Sequence, residues 1–411
     1  VWCRYDDIVL VSRVRSMTQT PKAIAYLVPE FPGQTHAFFW REIRALEEAG
    51  ARVGLFSTRR PAPDACPHDF APLAVVRTRY LFPPGLRVVA RLALRPLRVL
   101  RAGAYVLGLS ETPLRQRLKL LGLIGSASAL GLACRRKGYC HVHIHSCANA
   151  AHLGALAHIL DRLPYSLTLH GDLPVYGADH RAKMARARFV SVVTRPLAAQ
   201  IAGLDPHIRA PVIWMGVDVE RFCPPEGGRI RPPGAPLDVV TVARLNRTKG
   251  HVHLLEALAR LKAAGIPFRY RIAGEGPERL AIEARIARLG LENEVHLLGT
   301  QSEAQVLALL QSADVLALTS FGAGEAAPVT VMEAMATGLP VIASVIGGTP
   351  DMIEDGVDGI LVPQQDEAAL AAALRRLAED PALCQRIGAA ARRTALTRFD
   401  HRTQARALLD E

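Results

Sequence analysis

At 411 residues the chain is too long for one typical core, so two α/β domains are its natural division. Half of the residues are hydrophobic and only 5% aromatic, which excludes a disordered or fibrous chain. The formal net charge of +12 suits nucleic acid, an anionic membrane surface or a phosphorylated substrate, and its placement along the chain says more than its size.

Residues 1–20 show no clear period, and Met17 followed by Thr-Gln-Thr-Pro reads as a natural start, so this stretch is expected to be a dispensable extension. Residues 22–28 form an apolar run suited to a buried parallel strand, and 29–35 form the loop after it. A helix over about 36–49 and a strand over 52–56 complete a strand-helix-strand unit. Its loop lies at the carboxyl edge of the sheet, where open α/β sheets bind ligands. No G-x-G-x-x-G fingerprint stands there, which disfavours a dinucleotide fold.

Between Arg77 and Lys137 the sole acidic residue is Glu111. The spacing Arg87-Arg91-Arg95-Arg98, with Val88, Leu92, Leu94 and Leu97 between, is that of a basic amphipathic helix. Such a face suits anionic lipid headgroups, or is simply solvated. Nucleic acid is disfavoured as a partner because few aromatics interleave with these cations. The run CHVHIHSC over 140–147 resembles a metal tract, but its strict alternation marks a strand with His141, His143 and His145 on one face. Ligands two apart on one strand fan out, so no metal site is assigned. His145, at the carboxyl end, is the one of the three expected to meet a ligand. Further strands are expected over 165–169, 187–194 and 210–214, the first delivering His170-Gly171-Asp172 to the same edge. The first domain then spans 21–223, with a basic insertion over 77–137, and the Pro- and Gly-rich stretch 224–236 is the linker.

A second series over 237–395 places strands at 237–242, 268–273, 295–298, 315–318 and 341–344. Arg244 and Lys249 stand five residues apart before a helix that begins near His251, where they oppose its dipole and call for a counter-anion. Gly274 and Gly276 mark the next turn. From 366 onward the chain reads as helical, with Phe399 standing out as an exposed apolar side chain, and the helix over 396–411 could cross back to the first domain. Seven scattered cysteines with no Cys-x-x-Cys pair read as reduced thiols. No uninterrupted run of roughly 18 apolar residues is present, so a cytoplasmic chain is expected.

The stretch 320–351 organises the second series: a loop with Glu325, a helix from Pro328 to Thr337 carrying Glu333, a Gly338-Leu339-Pro340 turn, a strand and Gly347-Gly348. The amino end of that helix favours a phosphate or diphosphate. On their own the two glutamates could equally be solvated.

Together, Arg244 with Lys249, Gly274-Glu275-Gly276, Glu325 with Glu333, Gly338-Leu339-Pro340-Val341, Gly347-Gly348-Thr349-Pro350 and Asp355-Gly356 resemble the second domain of the retaining glycosyltransferases of family four. Phe31-Pro32, His145, His170-Gly171 and Gly216-Val217-Asp218 with Phe222 look like the first domain of the same family, in the branch that builds exopolysaccharide, lipopolysaccharide and related cell-surface glycans. The resemblance implies the GT-B fold, two Rossmann-like parallel-sheet domains facing each other across a cleft. It implies a UDP-, GDP- or ADP-sugar donor, a lipid-linked or oligosaccharide acceptor, and no metal or other cofactor. By the same resemblance Arg244 and Lys249 bind the diphosphate, Glu333 the ribose, Glu325 the donor sugar, and His170 that sugar from the first domain. Gly33, Gly274, Gly276, Leu298, Ala327, Pro328 and Val329 complete the donor side, with the base held near Leu298 through backbone groups, and His145 and Asp172 stand on the acceptor side. Gly33-Gln34-Thr35 replaces the family's commoner glycine pair, and Asp351 stands where Glu is usual.

Carboxylates beside a diphosphate repel it, so Glu325 and Glu333 must meet hydroxyls, while no Asp-x-Asp motif stands on a suitable loop to hold a metal. Competing readings are a nucleotide-sugar epimerase or phosphorylase of the same fold, and a non-catalytic lipid-binding scaffold. The intact set of cations and carboxylates counts against both.

Overall fold

The structure, a computed structural model, describes residues 22–411 apart from 64, 233, 323 and 324. The expected extension over 1–20 lies outside the described residues. Six parallel strands form the first sheet: β1 (Ala23–Glu30), β2 (Arg52–Arg59), β3 (Arg79–Tyr80), β4 (His141–Ile144), β5 (Tyr165–Leu169) and β6 (Val190–Val192), ordered β3-β2-β1-β4-β5-β6. The second sheet repeats this plan with β7 (Leu237–Val242), β8 (Phe268–Ala273), β9 (Val295–Gly299), β10 (Val315–Leu318), β11 (Val341–Ser344) and β12 (Ile360–Val362), ordered β12-β11-β10-β7-β8-β9. Helices cover both faces, which is why β1, β10 and β11 read as largely continuous apolar runs rather than alternating ones. In each sheet the order reverses once, beside β1 and β4 and beside β7 and β10. Loops leaving the strands diverge at that reversal and open a crevice.

Two expectations about strands need correction, and two short edge strands were not foreseen. The strand expected over 187–194 shortens to three residues, and 210–214 contributes a single bridge, Val212 to Val192. Pro211 has no amide hydrogen and only accepts, from the Val192 amide, so a ladder cannot develop there. The edge strands β3 and β12 hold two and three residues, too few to show a period.

The linker is not loose. Arg229 donates to the carbonyls of Leu310, Gln311 and Thr337, and Arg231 to those of Leu377 and Ala378, so each guanidinium satisfies carbonyls left over at helix ends. Phe399 is fully buried, contrary to the expected exposure, and meets Trp214 edge-on with ring centroids 5.4 Å apart. It marks where the chain recrosses. The Val217 amide donates to the Phe399 carbonyl at 2.7 Å and the His401 amide to the Val217 carbonyl at 3.0 Å. The last helix, His401–Asp410, then lays Ala405 and Leu408 against Phe39, Ile43 and Leu46 of the first domain.

The basic insertion departs furthest from expectation. Pro96 divides the expected helix into Leu86–Ala93 and Pro96–Leu107. Its arginines turn inward: Arg91, Arg95 and Arg135 all reach Oδ1 of the buried Asp161, at 2.5, 2.9 and 2.6 Å. Arg98 donates to the Leu160 carbonyl, so four cations gather at the carboxyl end of the helix Asn149–Asp161. The leucines are left outside, with Leu86, Leu94, Leu97 and Leu100 between 68% and 88% exposed. The helical stretch Leu114–Lys137 is long and apolar enough to cross a membrane, although charged and polar residues interrupt its apolar run. Half of its most apolar window is buried, and Ala127, Leu130, Ala133 and Cys134 belong to the first domain's core.

Asp161→Ala removes the one acid shared by three guanidinium groups and leaves the mostly buried Arg91 without a counter-charge. Arg95 and Arg135 are partly exposed and regain water, so the expected loss is about 3 kcal/mol, the lower end for a broken buried pair. Urea denaturation checks this, and a loss below about 1 kcal/mol contradicts the inward-turned arrangement.

Candidate functional site

The second domain's part of the site begins at the end of β7. Gly250 takes a left-handed conformation (φ 68°), and a Cβ there would lie 2.0 Å from the Thr319 carbonyl oxygen. This close approach brings the loop from β7 against the end of β10, and Lys249 pairs with Glu325, whose Oε2 also accepts from the Ser320 hydroxyl at 2.7 Å. Gly347 has the same role on the other side, where a Cβ would fall 1.8 Å from the Glu325 carbonyl oxygen. The helix Val329–Ala336 begins just after Pro328 and ends before Thr337, as the Pro and Gly signals imply, and it buries Glu333.

His170, Arg244, Lys249, Gly274, Glu325, Ala327, Pro328, Val329 and Glu333 line one interdomain cavity of about 490 Å³. Arg244 is exposed, and among the described residues no carboxylate pairs with it. The other expected site residues lie outside the cavity wall. His145 is buried behind His170, so it reaches the cleft only through that ring. The Asp172 carboxylate is engaged by the Gln200 side chain at 2.7 Å. Leu298 points its side chain outward, and its carbonyl accepts from Gln301 Nε2 at 2.7 Å, leaving Thr300 and Gln301 on the wall instead. Gly276 packs on the backbone of Leu245. The Gly33 carbonyl accepts from the His36 amide, and Gln34, Thr35 and His36 are the parts of that loop on the wall. Gln34 also donates across the cleft to Thr300 Oγ1 at 3.3 Å.

Sequence reading missed a second cross-cleft contact. Arg41, on the helix Ala37–Glu48, pairs with Glu333 and lies 3.4 Å from Glu303, with its guanidinium 5.3 Å from the centre of the Phe222 ring. Burial raises the pKa of Glu333, and Arg41 opposes that rise. Thr330, with a buried hydroxyl that has no protein partner, stands on the wall beside them.

Behind His170 the two histidines of β4, His141 and His143, form a hydrogen-bonded layer with β5. His141 Nε2 and His143 Nδ1 each lie 2.7 Å from the Ser166 hydroxyl, and His143 Nε2 lies 2.8 Å from that of Thr168. Glu42, His143 and His145 are close enough for a shared cation. Both nitrogens of His143, however, already have hydroxyl partners, and Glu42 Oε1 accepts from the Tyr26 hydroxyl, so these groups are engaged within the protein.

Residues 229–394 match the family model described as glycosyl transferases group 1. WcaL of Salmonella typhimurium, which carries the name colanic acid biosynthesis glycosyltransferase, is 37% identical over 178 residues, covering 42% of each chain. The amylovoran biosynthesis glycosyltransferase AmsK of Erwinia amylovora is 35% identical over 179 residues, covering 43% of this chain and 44% of its own. The match thus spans less than half the length of these relatives. Among solved structures, Anabaena Alr3699/HepE in complex with UDP and glucose superposes with a TM-score of 0.69 at 21% identity, covering 95% of this chain and 99% of its own. Such a likeness shows the fold, and the two facing six-stranded sheets are the GT-B arrangement.

Burial pushes His145 and His170 down to about 3, and His36, His141, His152 and His251 down to about 4, from an ordinary 6.5. These rings are neutral in the folded chain and take up protons on unfolding below about pH 6.5. Their contribution to stability is therefore complete above pH 6.5 and is lost as pH falls. Tm is expected to drop between pH 7 and pH 5 in scanning calorimetry, and a Tm that holds or rises over that interval contradicts the burial.

Proposed function

We propose that the chain, whose residues 229–394 match the glycosyl transferases group 1 model, moves a sugar from a nucleoside-diphosphate donor onto a lipid-linked or growing cell-surface glycan. The observation that carries this reading is the grouping of Arg244, Lys249, Glu325 and Glu333 on one wall of a cavity whose opposite wall holds His170. When the bond from the anomeric carbon to the diphosphate breaks, negative charge grows on the leaving oxygen. Arg244, Lys249 and the start of the helix Val329–Ala336 stabilise it without a divalent metal. Glu333 accepts from the ribose hydroxyls and Glu325 from those of the sugar, for a carboxylate facing the diphosphate would repel it. Configuration is retained by a front-face route in which the departing phosphate oxygen takes the acceptor's proton, and His170 orients the donor sugar. UDP-sugars are the first donors to try, given the UDP and glucose bound to the Anabaena neighbour, with GDP- and ADP-sugars after them.

A matching donor is expected to raise Tm in a thermal-shift screen and to be turned over in the presence of EDTA. Lys249→Ala and Glu325→Ala are expected to lower kcat/KM at least about a hundredfold, the usual effect of removing one preorganised electrostatic group. Activity unchanged in both folded variants would falsify the assignment.

The acceptor side of the proposal includes an anionic membrane surface at the inner face, which makes the chain a peripheral, cytoplasmic enzyme. Exposed Leu86, Val89, Leu94, Leu97 and Leu100 supply apolar area, while the exposed Arg87, Arg101, Arg115 and Lys119 flank it in the same insertion. Sedimentation with phosphatidylserine-containing vesicles is expected for the wild type and lost for Leu97→Glu/Leu100→Glu. Equal binding to neutral and anionic vesicles, or binding that survives both substitutions, contradicts it.

A further inference from the structure

His170 Nε2 lies 3.1 Å from His145 Nδ1, and both rings are neutral, so one of the two nitrogens donates and the other accepts. The direction is set one layer deeper. His145 Nε2 sits 3.0 Å, off the axis of a linear hydrogen bond, from Glu42 Oε1. That same oxygen already accepts from the Tyr26 hydroxyl at 2.8 Å, so it faces His145 as an acceptor. A lone pair on His145 Nε2 would then confront an acceptor oxygen in a buried pocket, which is the costly alternative.

We infer that Glu42, through His145, fixes His170 in the tautomer whose Nδ1 is an acceptor, and that Glu42 and His145 are positioning residues for the cleft. Placing the proton on His145 Nε2 leaves its Nδ1 free to accept from His170 Nε2. The remaining ring nitrogen, His170 Nδ1, is buried, has no partner in the protein and belongs to a ring on the cavity wall. It therefore offers a lone pair to the ligand. The site reads a hydroxyl donor at that place on the sugar and disfavours a group that can only accept. The packing of a tilted Tyr26, an edge-on Phe39 and a stacked His170 around His145 holds the relay in line, with the His145 ring centroid 4.3, 4.9 and 5.4 Å from theirs.

The effect on substrate rests on the transferase reading above, whereas the tautomer itself does not. Nitrogen-15 spectra of the imidazoles in the full, ligand-free chain therefore test it directly. In the wild type His170 is expected to carry its proton on Nε2. Glu42→Leu removes the acceptor at similar volume and is expected to put the proton on Nδ1 or to mix the forms. Glu42→Gln keeps a carbonyl oxygen for Tyr26 and His145 and is expected to restore the wild-type pattern. His145→Phe, which keeps the ring stack, serves as the second variant should Glu42→Leu fail to fold. With the donor found by the screen, Glu42→Leu and His145→Phe are expected to raise its KM roughly tenfold, the cost of one mismatched hydrogen bond, with Glu42→Gln within about twofold. A wild-type His170 protonated on Nδ1, or a tautomer unmoved in Glu42→Leu and His145→Phe alike, overturns the inference. A chain that turns over no sugar nucleotide yet shows the expected tautomers overturns only the transferase reading.

Discussion

Glu333 is a buried carboxylate, and the cation that meets it comes from the other domain. Leaving it charged and unpaired inside protein would cost several kcal/mol, so Arg41 must reach it whenever the cleft is empty. This one contact joins the sheets at their facing edges, with Gln34 to Thr300 beside it and the amide of Arg195 on Asp351 at the far side. If Glu333 is to accept a ribose, the ribose takes the place of Arg41. Opening the cleft and filling the site then become coupled steps, because the same carboxylate cannot serve both partners fully.

The helix that supplies Arg41 also orders the first domain's side of the cleft and receives the returning C-terminal helix. Phe38 and Phe39 pack on the ring of His170, Glu42 meets Tyr26 and His145, and Phe39, Ile43 and Leu46 receive the returning C-terminal helix. One face therefore sets the position of the first domain's wall of the cleft and the point where the second domain's tail is anchored. A shift of this helix moves His170 and Arg41 together, which keeps the two walls in register.

Much of the fold was legible because parallel strands buried on both faces leave continuous apolar runs, and Pro and Gly mark the ends of the helix Val329–Ala336. Residues of the second domain's site were legible for a related reason. Lys249, Gly274, Glu325 and Glu333 sit on loops directly after strands or at a helix start, so their place at the carboxyl edge follows from local order. Arg41 and Glu42 were not legible, since a charged pair on an amphipathic helix ordinarily faces water. A trace was present nonetheless: Glu42 stands three residues after Phe39 and four before Leu46, on the helix's own apolar stripe. Their partners lie in distant parts of the chain, which periodicity cannot reach. His145 was placed at the right strand end but one layer too far forward, because alternation gives the face of a strand and not the depth of what covers it.

The inverted insertion follows the rule that governs Glu333. A buried acid collects cations wherever the chain offers them: three arginines on Asp161, Arg269 and Arg271 on Asp238, Arg41 on Glu333. The net charge of +12 already cancels one cation against each acid, so only the surplus arginines on Asp161 and Asp238 hold part of that excess inside the fold. Of what is left, Arg244 stands at the cleft, and Arg87, Arg101, Arg115 and Lys119 stand among the outward leucines. Because the inward arginines leave leucines at the surface, the proposed attraction between that face and an anionic bilayer would rest on apolar area first and charge second. An arginine-out helix would be released by salt, whereas a leucine-out face resists it, and the two geometries differ only in which way one acid, Asp161, has turned the helices.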